Sequence, residues 1–132
     1  MDPAPQVLLV DDEEGLRRLA SRALTAAGFA VLIAADGQEA LDLYSKHAAD
    51  IRLIVTDVRM PRLDGIGLHR RLREQGVRVP FLFMSGDAGQ ELAAGEGPGL
   101  IAEVLEKPWT LAELVSRVKD AVARASSPGP GT

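Results

Sequence analysis

The sequence predicts a single α/β domain with a doubly wound, five-stranded parallel sheet covered by helices on both faces. Three observations predict it. Five short apolar runs alternate with segments of helical periodicity along the chain. Those runs are near-continuously hydrophobic rather than alternating, which suits parallel strands buried on both faces. Hydrophobic residues make up 46% of the 132 and charged residues 26%, ordinary for a globular chain of one domain that builds its core without cross-links.

The strands are expected at Val7–Val10, Phe29–Ile33, Ile51–Val55, Phe81–Met84 and Ile101–Leu105. Between the first two, Leu16, Leu19, Ala20, Ala23, Leu24 and Ala27 recur at helical spacing, and Gly28 stands as the stop. Asp36-Gly-Gln-Glu39 and Thr110-Leu-Ala-Glu113 both read as capping boxes opening helices. A further helix is expected from about Ile66 to Gln75, ending at Gly76. Gly89 to Gly99 holds four glycines and Pro98, so any helix there should be short. Met1 to Pro5 and Ser126 to Thr132 are rich in proline, glycine and serine, and are expected to be disordered ends around a domain at 6–125.

Composition narrows the function. With no cysteine, a disulfide scaffold, a thiolate metal site and a thiol nucleophile are excluded. Nineteen acidic against fifteen basic residues give a net charge of -4, which disfavours nucleic-acid binding by the domain's overall field. MDPAPQ lacks the cationic start of a signal peptide, and no apolar run approaches the length of a membrane span. A soluble, cytoplasmic protein without membrane insertion is expected.

In open parallel sheets, ligands bind beyond the carboxyl ends of the strands. There this chain places Asp11-Asp12 after the first run, Asp57 after the third, Ser85 after the fourth and Lys107 after the fifth. Clustered carboxylates repel, and a hard divalent cation with oxygen ligands, Mg²⁺ first among them, relieves the repulsion. Such a cation, an ammonium and a hydroxyl neutralise and orient a phosphoryl group, and a carboxylate is itself a competent nucleophile. Taken singly, each residue has a plainer role. An Asp after a strand often caps a helix or closes an Asx turn, a Ser there is usually a turn residue, and a Lys is usually solvated. The coincidence is what carries weight: four strand ends of five bear such a residue, and only the second, Ala34-Ala35, does not.

These residues sit in recognisable pieces: VLLVDDEEGLRRL, DVRMPRLDG around Asp57, FLFMSG at Ser85 and EKPW at Lys107. Their separations are 45 residues from Asp12 to Asp57, 28 on to Ser85 and 22 on to Lys107. Over residues 6 to 124 the chain resembles a bacterial two-component response-regulator receiver domain, including those found in hybrid histidine kinases. The resemblance implies a flavodoxin-like receiver fold with strand order 2-1-3-4-5. It implies that Asp57 accepts a phosphoryl group from a phosphohistidine on a histidine kinase or histidine phosphotransfer protein. It further implies that Mg²⁺ is held by Asp12, Asp57 and the backbone carbonyl of Arg59, with Asp11 acting largely through water. Lys107 and Ser85 are implied to contact phosphoryl oxygens, and Lys107-Pro108 to be a cis peptide bond. The domain is then a phosphoacceptor module, a monomer or weak dimer, rather than an enzyme beyond its own phosphoryl transfer and slow autodephosphorylation.

Departures and competitors bear on this. Where the family often has Tyr or Phe three residues before the lysine, this chain has Val104, which lacks a ring to couple with Ser85. Trp109 is expected to pack in the core at the start of the last helix. Arg59 and Asp87, two positions after Asp57 and Ser85, are expected to overhang the cleft. A haloacid-dehalogenase-like phosphatase is the competing enzyme, but it wants a second Asp where Arg59 stands. Gly95 to Gly99 follows no strand and contains Pro98, which argues against a phosphate loop. His47, His69, Arg70, Arg71 and Arg73 are expected on solvated faces. No output segment follows residue 125, which suits either a stand-alone regulator or a receiver cut from a hybrid kinase.

Overall fold

A computed structural model describes residues 6–60, 62–85, 103–106 and 109–126. The elements run β1 (Gln6–Val10), α1 (Glu14–Ala26), β2 (Ala30–Ala34), α2 (Gly37–His47), β3 (Ile51–Asp57), α3 (Gly65–Glu74), β4 (Phe81–Ser85), β5 (Glu103–Glu106) and α4 (Leu111–Ser126). Every strand pair is parallel and the order is β2-β1-β3-β4-β5, as the resemblance implies. The short helix expected within Gly89–Gly99, the Lys107-Pro108 bond and both chain ends lie outside the described residues.

The continuous hydrophobicity of the strands reflects two cores. Val7 and Leu9, Leu53 and Val55, and Leu82 and Met84 face α1 and α4, meeting Leu24, Leu114 and Val118. Their neighbours Leu8, Val10, Ile54, Phe81 and Phe83 face α2 and α3, meeting Ala40, Leu68 and Leu72. Successive side chains on a strand point to opposite faces, so both parities must be apolar when both faces are covered. Trp109 packs against the first of these cores, as expected, and Val104 against the second.

Two helices end in Schellman motifs that glycine makes possible. Gly28 has φ +104°, its N–H donates to Thr25 O, and Phe29 N–H donates to Leu24 O at 3.1 Å. Phe29 is thereby committed to closing α1, which is why β2 begins one residue later than expected. Gly76 repeats the device on α3, with φ +82° and Val77 N–H on Leu72 O. At the other ends, Thr110 Oγ1 accepts from Glu113 N–H while Thr110 N–H donates to Glu113 Oε1, the full capping box. Asp36 caps α2 through Glu39 N–H at 2.9 Å.

Three expectations need correction. β3 continues through Thr56 and Asp57, because backbone pairing persists where the apolar run stops, with Asp57 opposite Met84. His69 is buried, not solvated. The inward face of α3 carries Gly65, Leu68, His69 and Leu72, and the imidazole stands edge-on to Phe81 with ring centroids 4.9 Å apart. Arg73, one turn on from His69, is half-buried; it donates to Val77 O and Val79 O and lies 5.6 Å from the Phe81 ring centroid. Arg70 and Arg71 are exposed, as expected.

Candidate functional site

The chain moves from β1 to β2 on one side and then to β3 on the other, so the sheet's topological switch point lies between the ends of β1 and β3. Register brings Val10 opposite Thr56, and hence Asp11 beside Asp57. Asp11, Asp12 and Asp57 each offer a carboxylate oxygen, and these atoms lie within 4.8 Å of one another. Asp11 is buried, Asp57 half-buried and Asp12 exposed. Unit charges so close repel by about 3–4 kcal/mol per pair at an effective dielectric of about 20, less where water reaches Asp12. An oxygen-seeking cation offsets such repulsion.

Local chemistry holds the acidic loop. Asp11 N–H donates to Ala34 O, extending the ladder one residue past β1, and Asp11 Oδ1 accepts from Glu13 N–H at 2.8 Å. The plainer role of an Asx turn is therefore real for Asp11 and coexists with its place in the cluster. Arg17 Nη1 donates to the Asp11 carbonyl at 2.7 Å. No sequence signal marked Arg17, since an arginine on a helix is usually solvated.

On the other wall, Thr56 is fully buried and its hydroxyl donates to the Asp57 carbonyl at 2.9 Å. The loop after Asp57 closes through Gly65 N–H on Val58 O at 2.9 Å, and a Cβ on Gly65 would overlap the Asp57 carbonyl oxygen. Glycine is required there by close approach of the backbone, not by its dihedral angles. Arg59 lies within this loop with its side chain exposed. Ser85 is the last residue of β4, with its backbone opposite Glu106; its side chain, Lys107 and Asp87 lie outside what the structure describes. Of the residues singled out from the sequence, the structure thus brings together the three aspartates. Val104 stands opposite Phe83, its carbonyl accepting from Arg117 at 3.0 Å, with no aromatic ring in its place.

Comparison with known proteins agrees with this geometry. Residues 7–119 match the response regulator receiver domain family. The chain is 39% identical over 127 residues to the response regulator MprA of Mycobacterium sp. (strain KMS), covering 96% of this chain and 54% of that protein. It therefore spans about half the length of the curated relatives it matches. Among solved structures, a response regulator receiver protein from Sinorhizobium medicae superposes with a TM-score of 0.79 at 34% identity, covering 93% of this chain and 98% of that one. The receiver domain of the hybrid histidine kinase CckA gives a TM-score of 0.72 at 35% identity, covering 89% and 98%. The match over residues 7–119 shows the class to which the doubly wound sheet and its acidic cluster belong: this chain is a response regulator receiver domain of two-component signalling. Such domains are signalling modules and not classical enzymes, which sets aside the phosphatase alternative. No helix among the described residues is long and apolar enough to cross a membrane.

Proposed function

We propose that Asp57 accepts a phosphoryl group from a phosphohistidine of a histidine kinase or histidine phosphotransfer protein in the cytoplasm, and that its phosphorylation changes which partner the domain binds. The observation that carries this is the convergence of Asp11, Asp12 and Asp57 oxygens within 4.8 Å at the switch point. An all-oxygen donor set open to water on one side suits Mg²⁺, which keeps several waters and takes phosphate oxygens as ligands. Asp12, Asp57 and the Arg59 carbonyl are the residues to hold it, with Asp11 acting largely through water. When bound, it supplies the positive charge that lets an anionic phosphoryl group approach a carboxylate.

The chain's own residues do the rest. An Asp57 carboxylate oxygen forms the new P–O bond as the P–N bond of the phosphohistidine breaks, and that bond's electron pair stays with the imidazole nitrogen. Thr56 Oγ1 donates to the Asp57 carbonyl and Gly65 leaves room beside it, so both restrain the backbone that carries the Asp57 carboxylate. Lys107 is assigned to pair with one phosphoryl oxygen, and Ser85 to hydrogen-bond another. Loss of the group is slow hydrolysis, in which water attacks phosphorus and the Asp57 carboxylate leaves.

Intact-mass measurement after incubation with a small-molecule phosphodonor tests the proposal. The expected result is a single phosphoryl adduct on the wild type, dependent on Mg²⁺ and absent from Asp57→Asn. Equal labelling of that variant, or labelling unaffected by chelation, would overturn it.

A further inference from the structure

The loop after Asp57 is pinned at Leu63 as well as where Gly65 N–H meets Val58 O. Leu63 O accepts from Gly37 N–H, at the start of α2, at 2.9 Å. A Cβ on Gly37 would overlap that same carbonyl, so helix start and loop backbone are in direct contact. Beside this bond, Arg62 Nη1 lies 3.3 Å from Asp36 Oδ2, while Asp36 Oδ1 caps α2. Each oxygen of one buried carboxylate thus does a separate job. Arg62 has φ +66° and is the one non-glycine residue with positive φ among the described residues. A long side chain adopts left-handed backbone only where its surroundings hold it there. The loop from Val58 to Gly65 contains Arg59, the residue whose carbonyl is assigned to the metal.

We propose that the Asp36–Arg62 ion pair, together with the Gly37–Leu63 hydrogen bond, is a positioning device that holds the loop after Asp57 in its metal-binding shape, so that a contact at the start of α2 sets Mg²⁺ affinity. This rests on the assignment of the aspartate cluster to Mg²⁺. Arg62 and Leu63 follow Arg59 by only three and four residues, so freeing them lets the Arg59 carbonyl swing while Asp11, Asp12 and Asp57 stay on their strand ends. An exposed ion pair alone is usually weak. Here one partner is buried and fixed by its cap, so the pair need restrain only Arg62. The pair is assigned to act on the Arg59 carbonyl through the short stretch of chain that links it to Arg62.

The test uses Asp36→Asn, Arg62→Ala, the double variant and Arg62→Lys. Asparagine caps helices as well as aspartate does, so the first change removes the charge and keeps the cap. Mg²⁺ affinity is read by isothermal titration calorimetry of the whole chain. Amide hydrogen exchange without metal reads Gly37, whose N–H makes the pin, and β1 and β3, which report folding.

Asp36→Asn and Arg62→Ala should each bind Mg²⁺ about three- to tenfold more weakly, at or below the low end of substitutions in groups supporting metal ligands. The double variant should be no weaker than either single, since the pair acts as one unit. Arg62→Lys should restore wild-type affinity. Gly37 should exchange faster in the weakened variants while β1 and β3 keep their protection. Unchanged Mg²⁺ affinity in Asp36→Asn and Arg62→Ala, with a wild type that binds, overturns the positioning role alone. Loss of protection across β1 and β3 also overturns it, by showing a general folding defect. A wild type that binds no Mg²⁺ overturns the metal assignment itself and this role with it.

Discussion

Arg17 Nη1 donates to the backbone carbonyl of Asp11 at 2.7 Å, tying the second turn of α1 back to the acidic loop that precedes it. The residue before α1, Glu13, makes no side-chain cap, so the loop relies on this bond and on Asp11 Oδ1 accepting from Glu13 N–H. A hydrogen bond from a charged donor contributes about 1.5–3 kcal/mol, toward the lower figure where it is only partly buried. Arg17→Ala should lower the urea midpoint, at unchanged m-value, by the equivalent of about 1–2 kcal/mol. It should also weaken Mg²⁺ binding, whereas a neutral effect on both would show that the turn stands without it.

Two glycines should respond in opposite directions to the same substitution. A Cβ on Gly15, in the first turn of α1, meets nothing within 4 Å. Gly15→Ala should therefore stabilise the fold by about 0.5–1 kcal/mol through helix propensity. At Gly65 the Cβ would overlap the Asp57 carbonyl, a backbone atom that no rotamer change moves away. Overpacking costs about 1–3 kcal/mol and outweighs the propensity gain, so Gly65→Ala should destabilise and also slow phosphoryl uptake. Chemical denaturation of the two variants side by side checks the signs.

Arg59 follows Asp57 by two residues and its side chain is exposed. A long guanidinium stem there can obstruct in-line attack by water and hold a phosphoryl oxygen. We expect Arg59→Ala to shorten the lifetime of phospho-Asp57 by about threefold or more, a change in barrier of at least about 0.6 kcal/mol. A time course of intact mass after donor removal measures it. An equal or longer lifetime in the variant rules shielding out.

Tyr44 is the only tyrosine, so ultraviolet titration reads it alone. Burial pushes its phenol pKa above the ordinary 10.0, and the Arg73 charge partly opposes that. Arg73 is itself lowered from its usual value, first by burial and then by Arg78. A raised folded pKa means that the unfolded chain releases the phenol proton first. Stability should therefore fall as pH rises through the unfolded value near 10.0. The expected result is a titration midpoint above that value in the native protein, returning to it in urea, and rising further in Arg73→Met. A native midpoint at or below the unfolded one contradicts this.

What could be read from the chain was what the chain settles within a few residues. Thr110 and Glu113 are three apart and cap one another wherever the helix lies. Gly28 and Gly76 end helices because φ is positive there, a requirement of the backbone at one position. The two-sided burial of the strands was visible as unbroken apolar runs, and the ends of those runs pointed to Asp11, Asp12 and Asp57 before any sheet was drawn. Even so, β3 runs on to Asp57 despite its polar tip, because ladder hydrogen bonds are made by backbone and do not depend on side-chain polarity.

Tertiary structure decided which faces meet. His69 and Arg73 sit among arginines in the sequence, and only the packing of α3 against Phe81 turns one inward and lays the other across the ring. The distance between the carboxylates of Asp11 and Asp57 depends on β1 and β3 becoming neighbours, 46 residues apart in the chain. Arg62 and Asp36 belong to different loops, and neither residue alone carries a signal for the other. Propensity and periodicity act along the chain, where the energies are local. Contacts between elements depend on how two surfaces dock, and that is fixed only when the cores on both sides of the sheet close.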